Sequence, residues 1–387
     1  MKFACRFGWV PFLLVAVGAE LCVVVPAWNG NPDGYLYGDS GFYAAAADSL
    51  LRDGDLDLLN QCFPDGGTIQ DALPALEGDH GGEFALASQQ YLTLKQSPVL
   101  AVAVLPFYAL FGKPGCLLFN LLVLNLLLVG MAQLAGGGAV SRVVTLLSLV
   151  TTPLIRFAFN FSPDLFLCLL LVGCLLAAQR NRPGLAGILA GLAVSSKLYV
   201  ALLVVPIPVL MVLTADRRWH TILWVGNGGV IGLAPGLAFN TWQYGAPWVT
   251  GYERQLLVEN GVIGLANHTS RFTEPPLQGL RNILFDDTVG LWPTAPLWFL
   301  WPIGFAWLTA RRTPGTQWHF AAVALILMNL ALFATYDGWH GGSSAGNRYV
   351  FPALVMGFVV ISAAFQVAWN ANCAGRSDGA KSAGRAA

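Results

Sequence analysis

FGWVPFLLVAVGAELCVVVPAW, residues 7–28, decides the fold class. The run is apolar apart from Glu20 and matches the roughly 20 helical residues that cross a bilayer core. Comparable runs recur at 116–134, 141–157, 163–179, 184–196, 198–214, 220–240, 289–309, 318–335 and 348–369. Of 387 residues, 56% are hydrophobic and 11% charged, well short of the roughly 25% charge typical of a soluble domain. A soluble enzyme, a disordered chain, a nucleic-acid module and a singly anchored protein are excluded. The reading is an all-α polytopic membrane protein with about ten transmembrane helices. The first run follows Lys2 and Arg6 without a small-x-small cleavage site, so it reads as a retained signal-anchor helix.

Positive charges set the expected topology. Lys2/Arg6, Arg142, Arg180/Arg182, Arg217/Arg218, Arg311/Arg312 and Arg376/Lys381/Arg385 hold twelve of the 21 basic residues. They share the cytoplasmic side only if an even number of spans separates successive clusters. The ten runs satisfy this provided 97–111 does not cross. That run is short and carries Pro98 and Pro106, so a re-entrant or interfacial segment is expected. The run at 184–196 is either a separate span or fused with its neighbour near Lys197. Both termini then lie in the cytoplasm of a plasma (inner) membrane. Residues 1–369 form the transmembrane domain, with outer loops at 29–115, 241–288 and 336–347, and 370–387 is a disordered tail.

Polar chemistry concentrates on the outer side. Eleven of the 21 acids lie between Asn29 and Gln96, against only Arg52 and Lys95. Net charge is zero, which offers nothing to nucleic acid, and the seven scattered cysteines have neither metal-ligand spacing nor a disulfide framework. Within Tyr35–Gln61, the apolar stripe of Ser40–Arg52 predicts a surface-lying amphipathic helix, stopped near Gly54. Asp39 at its start is either a helix cap or a base at the membrane boundary. Asp53, Asp55 and Asp57 alternate like cation ligands but lack the remaining spacing of a calcium loop, and read as solvated surface.

Six stretches in order carry a family likeness. They are GDSGFYAAAADSLLRDGDLDLLN (Gly38–Asn60), Gln96-Ser97-Pro98 with PFYALFG (Pro106–Gly112), FNFSPDLF (Phe159–Phe166), GLAVSSKLY (Gly191–Tyr199), FNTWQYGAPWVTGY (Phe239–Tyr252) and GWHGGSSAGNRYVFP (Gly338–Pro352). Together they resemble the GT-C glycosyltransferases, multi-pass enzymes using polyprenyl-phosphate sugars, in particular bacterial relatives of protein mannosyltransferases and aminoarabinose transferases. The resemblance implies inverting transfer on the outer face to a glycan, lipid or protein hydroxyl, with Asp39 as base. It also implies donor-phosphate binding by Arg348, Lys197, Lys95 and Arg156, although Arg156 and Lys197 also suit snorkelling at span ends. Asp164, Tyr43, Trp339, His340, Tyr349 and Glu20 are supporting candidates. Glu20 either faces the cavity below Asp39 or pairs with another span. No cofactor is read from the sequence; many relatives carry a second acid where this chain has Ser40, so a divalent metal lacks that support. A polyprenyl-lipid transporter and a catalytically silent lipid-binding relative are the alternatives.

Overall fold

The computed structural model describes residues 8–36, 39–63, 68–77, 84–265, 271–313, 315–341 and 347–383. Lys2, Arg6, Gly38, the glycine-rich run at 342–346 and Arg385 lie outside the described residues. Helix α1 (Trp9–Gly30) leads into a loop holding α2 (Asp39–Arg52), α3 (Leu59–Cys62), α4 (Ile69–Leu76), β1 (Phe84–Leu86) and β2 (Leu92–Leu94). Next come α5 (Val99–Phe111), α6 (Lys113–Leu134), α7 (Ala139–Val150), α8 (Pro163–Gln179) and α9 (Pro183–Ser196). They are followed by α10 (Val200–Val204), α11 (Pro206–Thr214), α12 (Arg218–Tyr244), β3 (Leu256–Glu259), β4 (Val262–Leu265) and α13 (Pro276–Phe285). The chain ends through α14 (Leu291–Thr294), α15 (Trp301–Ala310), α16 (Thr316–Phe333) and α17 (Phe351–Ala383).

The fold is all-α and multi-pass. Among the described residues, five helices (α1, α6, α12, α16 and the stretch Arg348–Cys373) are long and apolar enough to cross a membrane. Shorter apolar helices occupy the remaining expected runs. Two runs depart from single straight spans. Residues 141–157 bend by 70° between α7 and a 3-10 turn over Pro153–Phe159, because Pro153 lacks the N–H that would continue the ladder. Residues 289–309 break into α14, a 3-10 turn at Pro296–Leu300 and α15. Lys197 is extended (φ −149°, ψ 115°), so α9 is separate from α10. Helix α17 carries on to Ala383, so helix replaces the expected disorder over 370–383.

Helix α5 is one of the shorter apolar helices. It lies along α2, where Tyr108 Oη donates to Asp48 Oδ1 at 3.1 Å, and reverses at Gly112 (φ +62°) directly into α6. The loops at this end are laced together. Ser88 N donates to Gln243 O at 2.8 Å, Tyr244 Oη to Leu94 O at 2.8 Å and Arg254 Nε to Leu86 O at 3.2 Å. At the far end of α1, about 30 Å away by helix rise, the Arg142 guanidinium lies 4.9 Å over the Trp9 ring, and Ser141 N donates to Gln366 Oε1 at 3.1 Å. The basic turn at Arg142 and the acidic first loop thus sit at opposite ends.

Glycine permits close backbone contact between α9 and α12. A Cβ added at Gly232 would stand 2.2 Å from Ile188 O, and one at Gly191 would stand 2.4 Å from Gly229 O. Small residues at such crossings let membrane helices gain van der Waals contact. Gly232→Val is therefore expected to cost about 1–3 kcal/mol of overpacking strain, read as a lower thermal midpoint of the detergent-solubilised protein.

Candidate active site

Two acid–cation pairs sit at the laced end. Asp39 opens α2, and its Oδ2 accepts from Arg348 Nη1 at 2.8 Å across 309 positions of sequence. Arg348 is oriented by the turn that carries it: Asn347 Oδ1 accepts from Tyr349 N at 3.1 Å, and Asn329 Nδ2 of α16 donates to Tyr349 O at 3.2 Å. The second pair is Asp164 with Lys197, Nζ to Oδ1 at 2.5 Å. Asp164 lies in the first turn of α8, where Ser162 caps the helix and Pro163 has a favoured start position. Asn120 of α6 holds the preceding bend, donating to Phe157 O at 2.7 Å and accepting from Ser162 N at 3.4 Å.

Aromatic rings link the two cations. Lys197 Nζ lies 6.0 Å from the Tyr199 ring, and Arg348 Cζ 5.4 Å from the Tyr349 ring. Phe333 fills the space between, edge-on to Tyr199 at 5.0 Å and stacked on Tyr349 at 4.9 Å. Such packing restrains cations while leaving donors available. Among the described residues, the buried Arg348 Nε and Tyr199 Oη have no hydrogen-bond partner; buried donors are normally satisfied, so these two are suited to an incoming acceptor.

Beside Lys197 opens a cavity of about 250 Å³, walled by Lys95, Gln96, Lys197, Phe239, Asn240, Trp248 and Tyr252 among others. Its mouth carries Leu198, Leu237 and Trp248, all exposed. Gly251 brings the two loops into register: a Cβ there would stand 2.3 Å from Lys95 O. A charged head beneath an apolar rim suits an anionic amphiphile.

Burial acts to raise the Asp39 pKa, but Arg348, Lys197 and Lys95 outweigh it and hold the carboxyl below its ordinary 3.8. An acid with a lowered pKa keeps its ion pair above the ordinary value and loses it as pH falls through the lowered one. The acid limb of kcat/KM assigned to Asp39 is accordingly expected below about pH 4 in the free enzyme; a pH–rate profile checks this, and a limb near neutrality would belong to another group. Tyr43 is buried and its hydroxyl is pushed well above its usual pKa, chiefly by desolvation, so it stays a donor.

Asp39, Arg348, Lys197, Asp164, Lys95, Tyr43 and Tyr349 thus come together. Four candidates do not join them directly. Arg156 is exposed on the 3-10 turn. Glu20 is buried at mid-helix in α1, where Asn125 Nδ2 of α6 donates to both its oxygens at 3.1 and 2.9 Å; of its two expected roles it takes the pairing with another span. Trp339 and exposed His340 form a turn beyond Tyr336. Asp53 is exposed as expected, whereas Asp55 and Asp57 are half-buried and organise the turn after α2, Asp55 Oδ1 accepting from Ser49 Oγ at 2.7 Å. Ser40 Oγ is buried and donates to Asn160 Oδ1 at 3.0 Å. Among the described residues no group of three or more His, Cys, Asp or Glu is arranged to hold a metal. Tyr252 and Tyr199 escaped individual notice, although each closes a stretch that carried the family likeness.

The model of glycosyltransferase family 87 matches residues 97–335. The chain belongs to that family. Two solved structures share its fold: ArnT from Cupriavidus metallidurans bound to undecaprenyl phosphate, and ArnT from the same organism in the apo state. The first aligns at TM-score 0.60 and 15% identity, over 93% of this chain and 60% of that one. The second aligns at TM-score 0.53 and 15% identity, over 92% and 59%. The chain therefore spans about 60% of the length of the first. No curated protein matches. The family and fold expectations hold to this extent: this is a multi-pass chain of glycosyltransferase family 87 that shares the fold of ArnT.

Proposed function

We propose that the protein transfers a sugar from a polyprenyl-phosphate donor to an acceptor hydroxyl, with inversion, on the outer face of the plasma membrane. The observation that carries this reading is the convergence of Asp39, Arg348, Lys197 and Lys95 beside a cavity with an apolar mouth. That arrangement fits the headgroup of a membrane-embedded phosphosugar, and the related fold of ArnT bound to undecaprenyl phosphate supports it.

Asp39 accepts the proton of the acceptor hydroxyl as the hydroxyl oxygen bonds to the anomeric carbon. The anomeric carbon–oxygen bond to phosphate breaks, and that electron pair leaves with the lipid phosphate. General-base assistance of this kind contributes about 10²–10⁴-fold. Arg348 supplies a planar fork for phosphate oxygens, and Lys197 and Lys95 act as point charges. The donor phosphate competes for the guanidinium that Asp39 otherwise occupies, so donor binding unmasks the base.

The test is release of polyprenyl phosphate from a labelled polyprenyl-phosphate sugar by purified protein in nanodiscs, with membrane extract as acceptor source. Acceptor-dependent release with inverted anomeric configuration is the expected result. Movement of intact lipid across the bilayer without release would establish a transporter instead.

A further inference from the structure

Transfer as proposed above engages Asp39 and the cations but gives Asp164 no part. Asp164 is nevertheless the most buried charged group of the site. Its side chain is 1% exposed, Oδ1 faces Lys197 Nζ and Oδ2 accepts from Ser162 Oγ at 3.2 Å. The same Ser162 hydroxyl accepts from Asp164 N at 3.1 Å, so the carboxylate is held at the start of α8. Lys197 is the movable partner, on a flexible four-carbon stem, and it lines the cavity. An anion entering that cavity must share Lys197 with a carboxylate that stays in place.

The sharing matters because transfer changes the charge of the lipid phosphate. In the donor the phosphate is a diester with one negative charge; once the sugar has left it is a monoester, which carries about −1.5 to −2 at neutral pH. Three cations around one phosphate therefore hold the spent carrier more tightly than the donor. A fixed carboxylate behind Lys197 repels both, and by Coulomb's law repels the monoester up to about twice as strongly. We propose that Asp164 is a positioning residue that governs product release: by keeping Lys197 partly neutralised, it weakens the grip on spent polyprenyl phosphate more than on the donor. This rests on the polyprenyl-phosphate reading given above.

The probe is undecaprenyl phosphate titrated into purified protein in nanodiscs. Asp164→Asn keeps the side-chain shape and an acceptor for Lys197. It is expected to bind undecaprenyl phosphate about tenfold tighter and to be inhibited by it at correspondingly lower concentration. Steady-state kcat falls while the single-turnover rate does not, a split that a merely structural role would not produce. A charge cycle covers the case in which that variant fails to fold. Lys197→Gln alone leaves Asp164 unshielded and is expected to lose about tenfold or more in affinity. The neutral double variant Asp164→Asn/Lys197→Gln returns to within about threefold of wild type, the difference reporting the coupling between the two residues. Wild-type protein without saturable binding of undecaprenyl phosphate would sink the donor reading itself. Wild-type binding with no tightening in Asp164→Asn, or a double variant as weak as Lys197→Gln, would overturn the release role alone.

Discussion

Asp39→Asn is expected to lower sugar transfer by about 10²–10⁴-fold without weakening the binding of polyprenyl phosphate. Asparagine keeps the shape of the side chain and an oxygen for Arg348 Nη1, which donates to Asp39 Oδ2 at 2.8 Å in the wild-type protein. It cannot take up a proton near neutral pH. Replacing the charge also releases Arg348 from its carboxylate competitor, so affinity for the lipid phosphate holds or rises while turnover collapses. Asp48→Asn is the control. Asp48 sits on the same helix but pairs with Arg52 at 2.8 Å and with Tyr108, away from the cation cluster. Transfer and phosphate affinity measured on the same nanodisc samples separate the two outcomes. Near-normal turnover in Asp39→Asn would leave Asp39 only as the partner of Arg348.

Arg348→Met is expected to fail in the opposite pattern, losing binding and turnover together. Removing a preorganised donor aimed at developing negative charge typically lowers kcat by about 10²–10³-fold, and methionine preserves much of the volume without any donor. The change also strips Asp39 of its partner. For a fully buried pair that costs about 3–5 kcal/mol; the Asp39 and Arg348 side chains are 21% and 22% exposed, and solvent screening reduces the cost to about 1–2 kcal/mol. With the guanidinium gone, burial acts on Asp39 against fewer cations, so the acid limb of any residual activity moves upward in pH. Arg348→Lys recovers charge without the bidentate fork and is expected to fall between wild type and Arg348→Met. Equal phosphate affinity in wild type and Arg348→Met would remove Arg348 from the phosphate site.

Much of this molecule is written in local sequence. Apolar run length alone locates α1, α6, α12 and α16, because each must satisfy its backbone within the bilayer and bury its own side chains there. Pro98 and Pro106 in a short run set α5 apart from the long spans, and the structure makes it a short apolar helix that reverses at Gly112. The positions of Asp39, Lys95, Asp164, Lys197 and Arg348 were legible too, as chemistry-bearing residues in ordered motifs on one side of the charge-derived topology.

Pairing was not legible. Nothing local tells Asp39 that its cation lies 309 positions away, or that Lys197 faces Asp164; ion pairs over such separations are decided by which spans pack together. Arg156 and Lys197 look alike in sequence, each a basic residue near a span end. Only the 70° bend before α8 and the extended backbone at Lys197 leave the first exposed and turn the second inward. Glu20 likewise had two readings, and contact with Asn125 of α6 selects one. The sequence by itself determined which segments enter the membrane and which side chains are chemically suited to a site, since burial of apolar runs and the cost of charge in lipid act residue by residue. Tertiary structure alone decided which acid neutralises which cation, because that depends on distances of a few ångströms between helices far apart in the chain.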